Sequence, residues 1–185
     1  YERCLLSLSR GGADATVVRE FDMTTKAFVK DGFTLPEAKS AISWKDENSV
    51  FVGTDFGEGS LTDSGYPGVV KVWQRNTPLS EAKTLYKADK TSVSAGGYTV
   101  YDGDDKYHFI YDGTSFYTRD MYLLENGKQI KFPIPNDASI VGLNNGKFFV
   151  QLKSAWNGFA QAEVIYADIK DVNKKDIKFT SFIKP

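Results

Sequence analysis

Residues 122–132 read Tyr122-Leu123-Leu124-Glu125-Asn126-Gly127-Lys128-Gln129-Ile130-Lys131-Phe132, two β-prone runs around an Asn-Gly pair. Both central positions of a type I′ turn need positive φ, and Asn-Gly supplies them at the lowest steric cost, so this stretch reads as a hairpin. The same turn is expected at Asn145-Gly146 and at Asp112-Gly113, and Arg10-Gly11-Gly12-Ala13-Asp14 joins the first two strands. Outward from these turns the chain reads as about fifteen short runs of β-formers bounded by Gly, Asp, Asn or Lys. They are 3–9, 15–22, 26–29, 40–44, 49–54, 69–74, 83–86, 91–95, 107–111, 116–124, 129–132, 139–143, 147–152, 162–168 and 178–182. Pro36–Ala41 reads as a turn, Leu79–Lys83 as one helical turn, and Asp168–Lys175 as a short helix or loop with Asp168 as its N-cap. None has the sustained 3.6-residue apolar period of a packed helix.

The strands repeat. Phe21, Trp73, Leu123 and Tyr166 each stand near the end of a strand, just before a polar turn, at intervals of 52, 50 and 43 residues. Four strands per 40–50 residues is the spacing of a β-propeller blade, a small twisted sheet that must stack on neighbours to bury its faces. The fold expected is all-β: a β-propeller of about four blades of four antiparallel strands, at about 1–30, 38–88, 90–133 and 138–183. The first group holds only three strands; a four-bladed ring could close if another strand replaced the missing one, but the start mid-blade favours an arc of a larger ring, a seven-bladed one by the resemblance below. Open end strands leave backbone groups unpaired, and self-association through those edges is expected.

Composition narrows the function classes. The 185 residues are 41% hydrophobic and 25% charged, as in a folded globular chain. No run of about 18 apolar residues offers a membrane span, and a net charge of −1 gives no footprint for nucleic acid. Cys4 and His108 each stand alone, so the chain can form no internal disulfide and supplies no thiolate zinc cluster or multi-histidine metal site. No cofactor is expected. The chain opens at Tyr1 without Met or a visible signal peptide, which suggests an excised or processed piece and leaves cytoplasm and periplasm both open.

Among the polar residues, Ser60 or Ser64 with Asp63 and His108 could be drawn as a triad, but nothing in the sequence brings His108 to that loop. His108 itself reads as an ordinary strand residue. Asp102-Gly103-Asp104-Asp105 lacks the spacing and final Glu of a calcium loop and reads as a solvated hairpin turn. Asp55, Glu58, Asp63 and Asp102 could supply a glycosidase carboxylate pair only if two of them converged. Trp44, Trp73, Tyr86, Tyr117, Tyr122, Phe148 and Phe149 are assigned to the core between blades. Trp156, in a turn-rich context, is a candidate surface contact. The Gly-rich Asp55–Pro67 segment is too long for a tight turn and is the leading binding candidate, a packed Ω-loop being the plainer reading.

Three stretches carry a family resemblance: Ser7–Asp22 (SLSRGGADATVVREFD), Gly32–Ser40 (GFTLPEAKS) with the Trp44 strand after it, and above all Val52–Pro67 (VGTDFGEGSLTDSGYP), continuing into Val70-Lys71-Val72-Trp73. They resemble the propeller domain of bacterial prolyl oligopeptidases over about half the chain, weakening after about Lys90. That resemblance implies a seven-bladed propeller capping an α/β-hydrolase domain, whose Ser-Asp-His triad cleaves short proline-containing peptides while the propeller restricts access. This chain has no Gly-x-Ser-x-Gly elbow, since in the nearest look-alike, Gly57-Glu58-Gly59-Ser60-Leu61, no glycine follows two residues after the serine, and no βαβ region. The expectation is therefore a non-catalytic, substrate-gating portion of a serine peptidase, inactive alone. Its partner would be the absent hydrolase domain, and Asp55, Phe56, Ser60, Asp63, Tyr66 and Trp156 are candidate contacts. The rival reading is a free-standing small propeller used as a protein-interaction scaffold.

Overall fold

The computed structural model describes residues 2–185. Its sixteen strands form four antiparallel sheets. The first contains β1 (Arg3–Ser9), β2 (Thr16–Asp22), β3 (Ala27–Phe28) and β4 (Thr34–Ala38). The second contains β5 (Ala41–Asp46), β6 (Ser49–Gly53), β7 (Val69–Gln74) and β8 (Lys83–Lys87). The third contains β9 (Ser94–Asp102), β10 (Asp105–Gly113), β11 (Asp120–Glu125) and β12 (Lys128–Lys131). The fourth contains β13 (Ser139–Asn144), β14 (Lys147–Gln151), β15 (Val164–Asp168) and β16 (Thr180–Ile183). Sheets two to four are meanders in sequence order; in the first, β1 pairs with β2, and β3 and β4 both pair with β2. The repeat markers Phe21, Trp73, Leu123 and Tyr166 fall on β2, β7, β11 and β15, each a strand paired on both sides.

Four segments depart from the sequence expectation, each for a local reason. Thr34–Ala38 is a strand rather than a turn, so the first sheet has four strands, not three. Its Pro36 is tolerated because β4 lies at the sheet edge and the register with β2 shifts between Thr16 and Val18, where a missing N–H breaks no ladder bond. The strand expected at 91–95 is instead Ser94–Asp102, with Gly96-Gly97 inside it. Gly97 is there for close packing: a Cβ on it would lie 2.8 Å from Cγ of buried Phe51. Asp112-Gly113 ends β10 instead of turning, and the strand expected from Phe116 starts at Asp120. Phe116 and Tyr117 sit in the loop between them, 83% and 82% exposed, so Tyr117 is not a core residue.

The Asn-Gly turns form as read: Asn126 and Gly127 have φ of 51° and 74°, Asn145 and Gly146 of 50° and 69°. Short 3-10 turns occupy Leu79–Glu81 and Ile169–Asp171, and Asp168 makes no side-chain cap bond to the second.

The chain divides into two compact units, Tyr1–Tyr98 and Thr99–Pro185. In the first, Val18 and Leu35 of sheet one meet Val50, Val52 and Trp73 of sheet two, with Phe33 edge-on to Trp44 (5.7 Å) and Trp73 (4.9 Å). Beside this core lies a buried ion pair. The Glu20 side chain is 0% exposed and accepts two bonds from the Arg75 guanidinium (2.9 and 3.0 Å), one from Phe33 N–H (3.0 Å) and a longer one from Arg3 (3.4 Å). Arg75 follows β7 and stacks over Phe33 at 4.7 Å, so the pair joins sheet two to sheet one. Gly32 makes room for it: a Cβ there would lie 2.9 Å from Glu20 Oε2.

In the second unit the seam is aromatic. Phe132 stacks on Phe109 of sheet three (5.5 Å) and meets Phe148 of sheet four edge-on (5.0 Å). The Asp102 carboxylate accepts the N–H groups of Asn145 and Gly146 at 2.9 and 2.6 Å, tying the β9–β10 turn to the β13–β14 turn.

Candidate functional site

In an antiparallel meander, alternate connections emerge at the same end. That rule sorts the loops of each unit into two kinds. In the first unit one end carries the residues after Asp22, whose carboxylate accepts Thr24 and Thr25 N–H, Glu47-Asn48 after Asp46, whose carboxylate accepts Asn48 N–H, and the longer 75–82 connection, whose Arg75 N–H donates to Asn48 C=O. The other end carries the Arg10–Ala15 turn, the 39–40 link, the 54–68 loop and the 88–93 link.

The 54–68 loop is held from inside. Ser60 is buried (5% exposed); its Oγ donates to Gly57 C=O (2.6 Å) and accepts Phe56 N–H (2.9 Å). Asp55 Oδ1 accepts Gly57 N–H at 2.9 Å. The root is fixed to the neighbouring link, since Thr62 Oγ1 donates to Val93 C=O (2.9 Å) and Asp63 N–H to Lys90 C=O (2.7 Å). The Lys71 ammonium lies 4.1 Å over the Phe56 ring. The Tyr66 hydroxyl donates to Asp14 Oδ2 at 2.8 Å, and this bond, with the charge of Asp14, raises the phenol above its ordinary pKa.

The second unit has the same two-ended character. At one end the turns at 103–104, 126–127 and 145–146 are two residues each, and the longer 169–179 connection, with Ile169 N–H donating to Gly146 C=O at 2.8 Å, lies beside them. The opposite end carries loops 114–119, 132–138 and 152–163, tied by Arg119 N–H to Asn136 C=O (2.8 Å) and Ser154 Oγ to Asp137 (2.6 Å). Trp156 is half-buried, edge-on to Phe179 at 5.2 Å, in a turn where Asn157 and Gly158 have positive φ. With Phe132, Pro133, Ile134 and Pro135 it lines an open apolar depression of about 480 Å³. Loop 114–119 is stiffened by Ser115, whose Oγ accepts Tyr117 and Thr118 N–H (both 3.1 Å), and it presents Phe116 and Tyr117 to solvent.

Five candidate residues, Asp55, Phe56, Ser60, Asp63 and Tyr66, thus share one loop of the first unit, and Trp156 lies at the wide-loop end of the second. The imagined triad does not form within the first unit: the Ser60 proton is committed to Gly57, and His108 lies on β10 with Nδ1 2.9 Å from Thr99 Oγ1. Asp102 serves as a turn clamp. Sequence reasoning missed Phe116 and Tyr117, because two aromatics beside Thr118 look like the start of a strand; the Thr114-Ser115 pair before them was the available turn signal.

Comparison with known proteins agrees with this architecture. The family model described as "Prolyl oligopeptidase, N-terminal beta-propeller domain" matches residues 2–184. The chain belongs to that family. It is 36% identical over 178 residues to "Uncharacterized peptidase y4nA" of Sinorhizobium fredii, covering 90% of this chain and 24% of that protein. An uncharacterized peptidase of Rickettsia prowazekii is 28% identical over 168 residues, covering 83% of this chain and 23% of its own length. The solved structure of a post-proline cleaving enzyme from Rickettsia typhi superposes over 100% of this chain and 30% of its own, with a TM-score of 0.90 and 24% identity. The chain therefore spans about a quarter of the curated relatives it matches. Its four sheets of four strands are propeller sheets of this family.

Proposed function

We propose that this chain is the substrate-gating, non-catalytic part of a serine peptidase that hydrolyses short proline-containing peptides. Its wide-loop ends would face an α/β-hydrolase domain, with Asp55, Phe56, Ser60, Asp63, Tyr66 and Trp156 as contacts at that boundary. The observation that carries the reading is the contrast between the two ends. Within each unit, one end carries the tight polar turns and one longer connection, 75–82 or 169–179, while the other is formed by long, internally braced loops with Phe56, Tyr66 or Phe116, Tyr117 and Trp156. Rigid loops on a sheet scaffold are where binding concentrates. Alone, the chain should not hydrolyse a chromogenic Pro-containing peptide. In the complete natural protein, replacing 55–67 with a short Gly-Ser connection should erode discrimination against long peptides, read as kcat/KM for a short against a long substrate. Hydrolysis by the chain alone, or unchanged discrimination, would overturn the reading.

The same reading bears on association. Among the described residues strand β1 pairs with β2 alone, and it presents Leu8, 46% exposed. An unpaired edge of this kind accepts another strand. The chain on its own should therefore self-associate as concentration rises in light scattering; a constant monomer mass would sink this.

A further inference from the structure

The Thr62–Tyr66 turn is pinned on one side to the 88–93 link by Thr62 Oγ1 and Asp63 N–H, and on the other side its Tyr66 is tied to the first sheet by one side-chain cluster. Tyr66 Oη donates to Asp14 Oδ2 at 2.8 Å. Lys39 Nζ lies 4.2 Å over the face of the same ring and 3.6 Å from the same Oδ2. The three residues come from three different connections, the β1–β2 turn, the β4–β5 link and the β6–β7 loop, so their mutual contacts bridge two sheets. A cation over the ring face strengthens the phenol as a donor toward an anion at its edge, so the contacts reinforce one another. Asp14 is offered from a built turn: Gly11 and Gly12 have φ of 65° and 83°, and Ser9 Oγ donates to Ala13 C=O at 2.6 Å.

We propose that Asp14, Lys39 and Tyr66 form a latch that holds the Thr62–Tyr66 turn against the first sheet and sets how often that turn lifts. If the wide-loop end admits peptides, as argued above, the latch tunes the width of that entrance. The phenol's raised pKa agrees with a hydrogen bond to a charged acceptor. Each contact is exposed and individually small, so the latch is one that opens readily, as a tuning element must.

Hydrogen–deuterium exchange on the complete natural protein tests the latch without using catalysis. The amides to follow are Thr62 and Gly65, which donate to Tyr66 C=O and Thr62 C=O at 2.9 Å each. Tyr66→Phe keeps the ring over Lys39 and loses only the hydroxyl; Asp14→Asn keeps a hydrogen-bond acceptor and loses the charge. Each should speed exchange at these amides about threefold, the size expected of one exposed charge-assisted contact. The double variant should be no faster than the singles, because both break one unit. Exchange in β6 should not change, which separates local release from general unfolding. High salt should speed the wild type but not Asp14→Asn. Unchanged exchange in the singles, or fully additive effects in the double, would overturn the latch. Faster exchange with unaltered peptide-length discrimination would leave the latch standing and count against the gating function instead.

Discussion

Arg75→Met is expected to lose about 3–5 kcal/mol of stability, because it leaves the fully buried Glu20 carboxylate with Arg3, 3.4 Å away and half exposed, as its one charged partner beside the Phe33 N–H. For a chain of this size that corresponds to a drop of roughly 10 °C in midpoint temperature. Trp44 and Trp73 sit in the same core, so their fluorescence reports this unit directly. The double variant Glu20→Leu with Arg75→Met should recover much of the loss, since replacing both charges removes the desolvation cost along with the attraction. A single variant within about 0.5 kcal/mol of wild type would show that the pair does not staple the two sheets.

The same pair predicts an acid limb. Burial pushes the Glu20 carboxyl up, but hydrogen bonds from Arg75 and Phe33 and the charges of Arg75 and Arg3 outweigh it, so the folded pKa lies below the ordinary 4.5. A depressed carboxyl contributes stability that is complete above its unfolded pKa and lost as pH falls through the folded one. Urea midpoints should therefore decline below about pH 4.5, and less steeply in Glu20→Gln. Equal slopes in the two proteins would remove Glu20 from the account.

Phe132→Ala should cost about 3–5 kcal/mol, the usual loss for a large buried ring. Phe132 is 1% exposed and sits between Phe109 and Phe148, so its removal opens a void on the seam joining sheets three and four. Phe116→Ala provides the contrast. The same residue type at 83% exposure should change stability by no more than about 0.5 kcal/mol. Urea unfolding of the two variants, followed by circular dichroism, checks both; similar losses would mean the seam is not where the second unit is held.

Much of the fold was legible because its signals are local. Asn126-Gly127 and Asn145-Gly146 need positive φ whatever surrounds them, and the 43- to 52-residue rhythm of Phe21, Trp73, Leu123 and Tyr166 marks equivalent strands. The misread segments are those where tertiary contacts overrule local preference. Pro36 is a strand residue because it lies at an edge bulge. Gly97 is a strand residue because Phe51 needs its missing Cβ. Phe116 and Tyr117 are strand-like residues left outside the sheet by a Ser115-centred turn.

The candidate loop was found from its length and glycines, but the contacts that hold it were not. Ser60, a candidate contact in sequence, is buried and bonded to the backbone of its own loop in the structure. Glu20 and Arg75 are 55 residues apart, and Asp14 and Tyr66 are 52 apart, and no local pattern announces either pairing. The sequence by itself determined the all-β repeat, its Asn-Gly turns and the placing of the long loop, because strand alternation and turn φ are properties of a few adjacent residues. Only the tertiary structure decided which charges are buried together, which aromatics are covered and which loops share an end, because those depend on how sheets stack after the strands have formed.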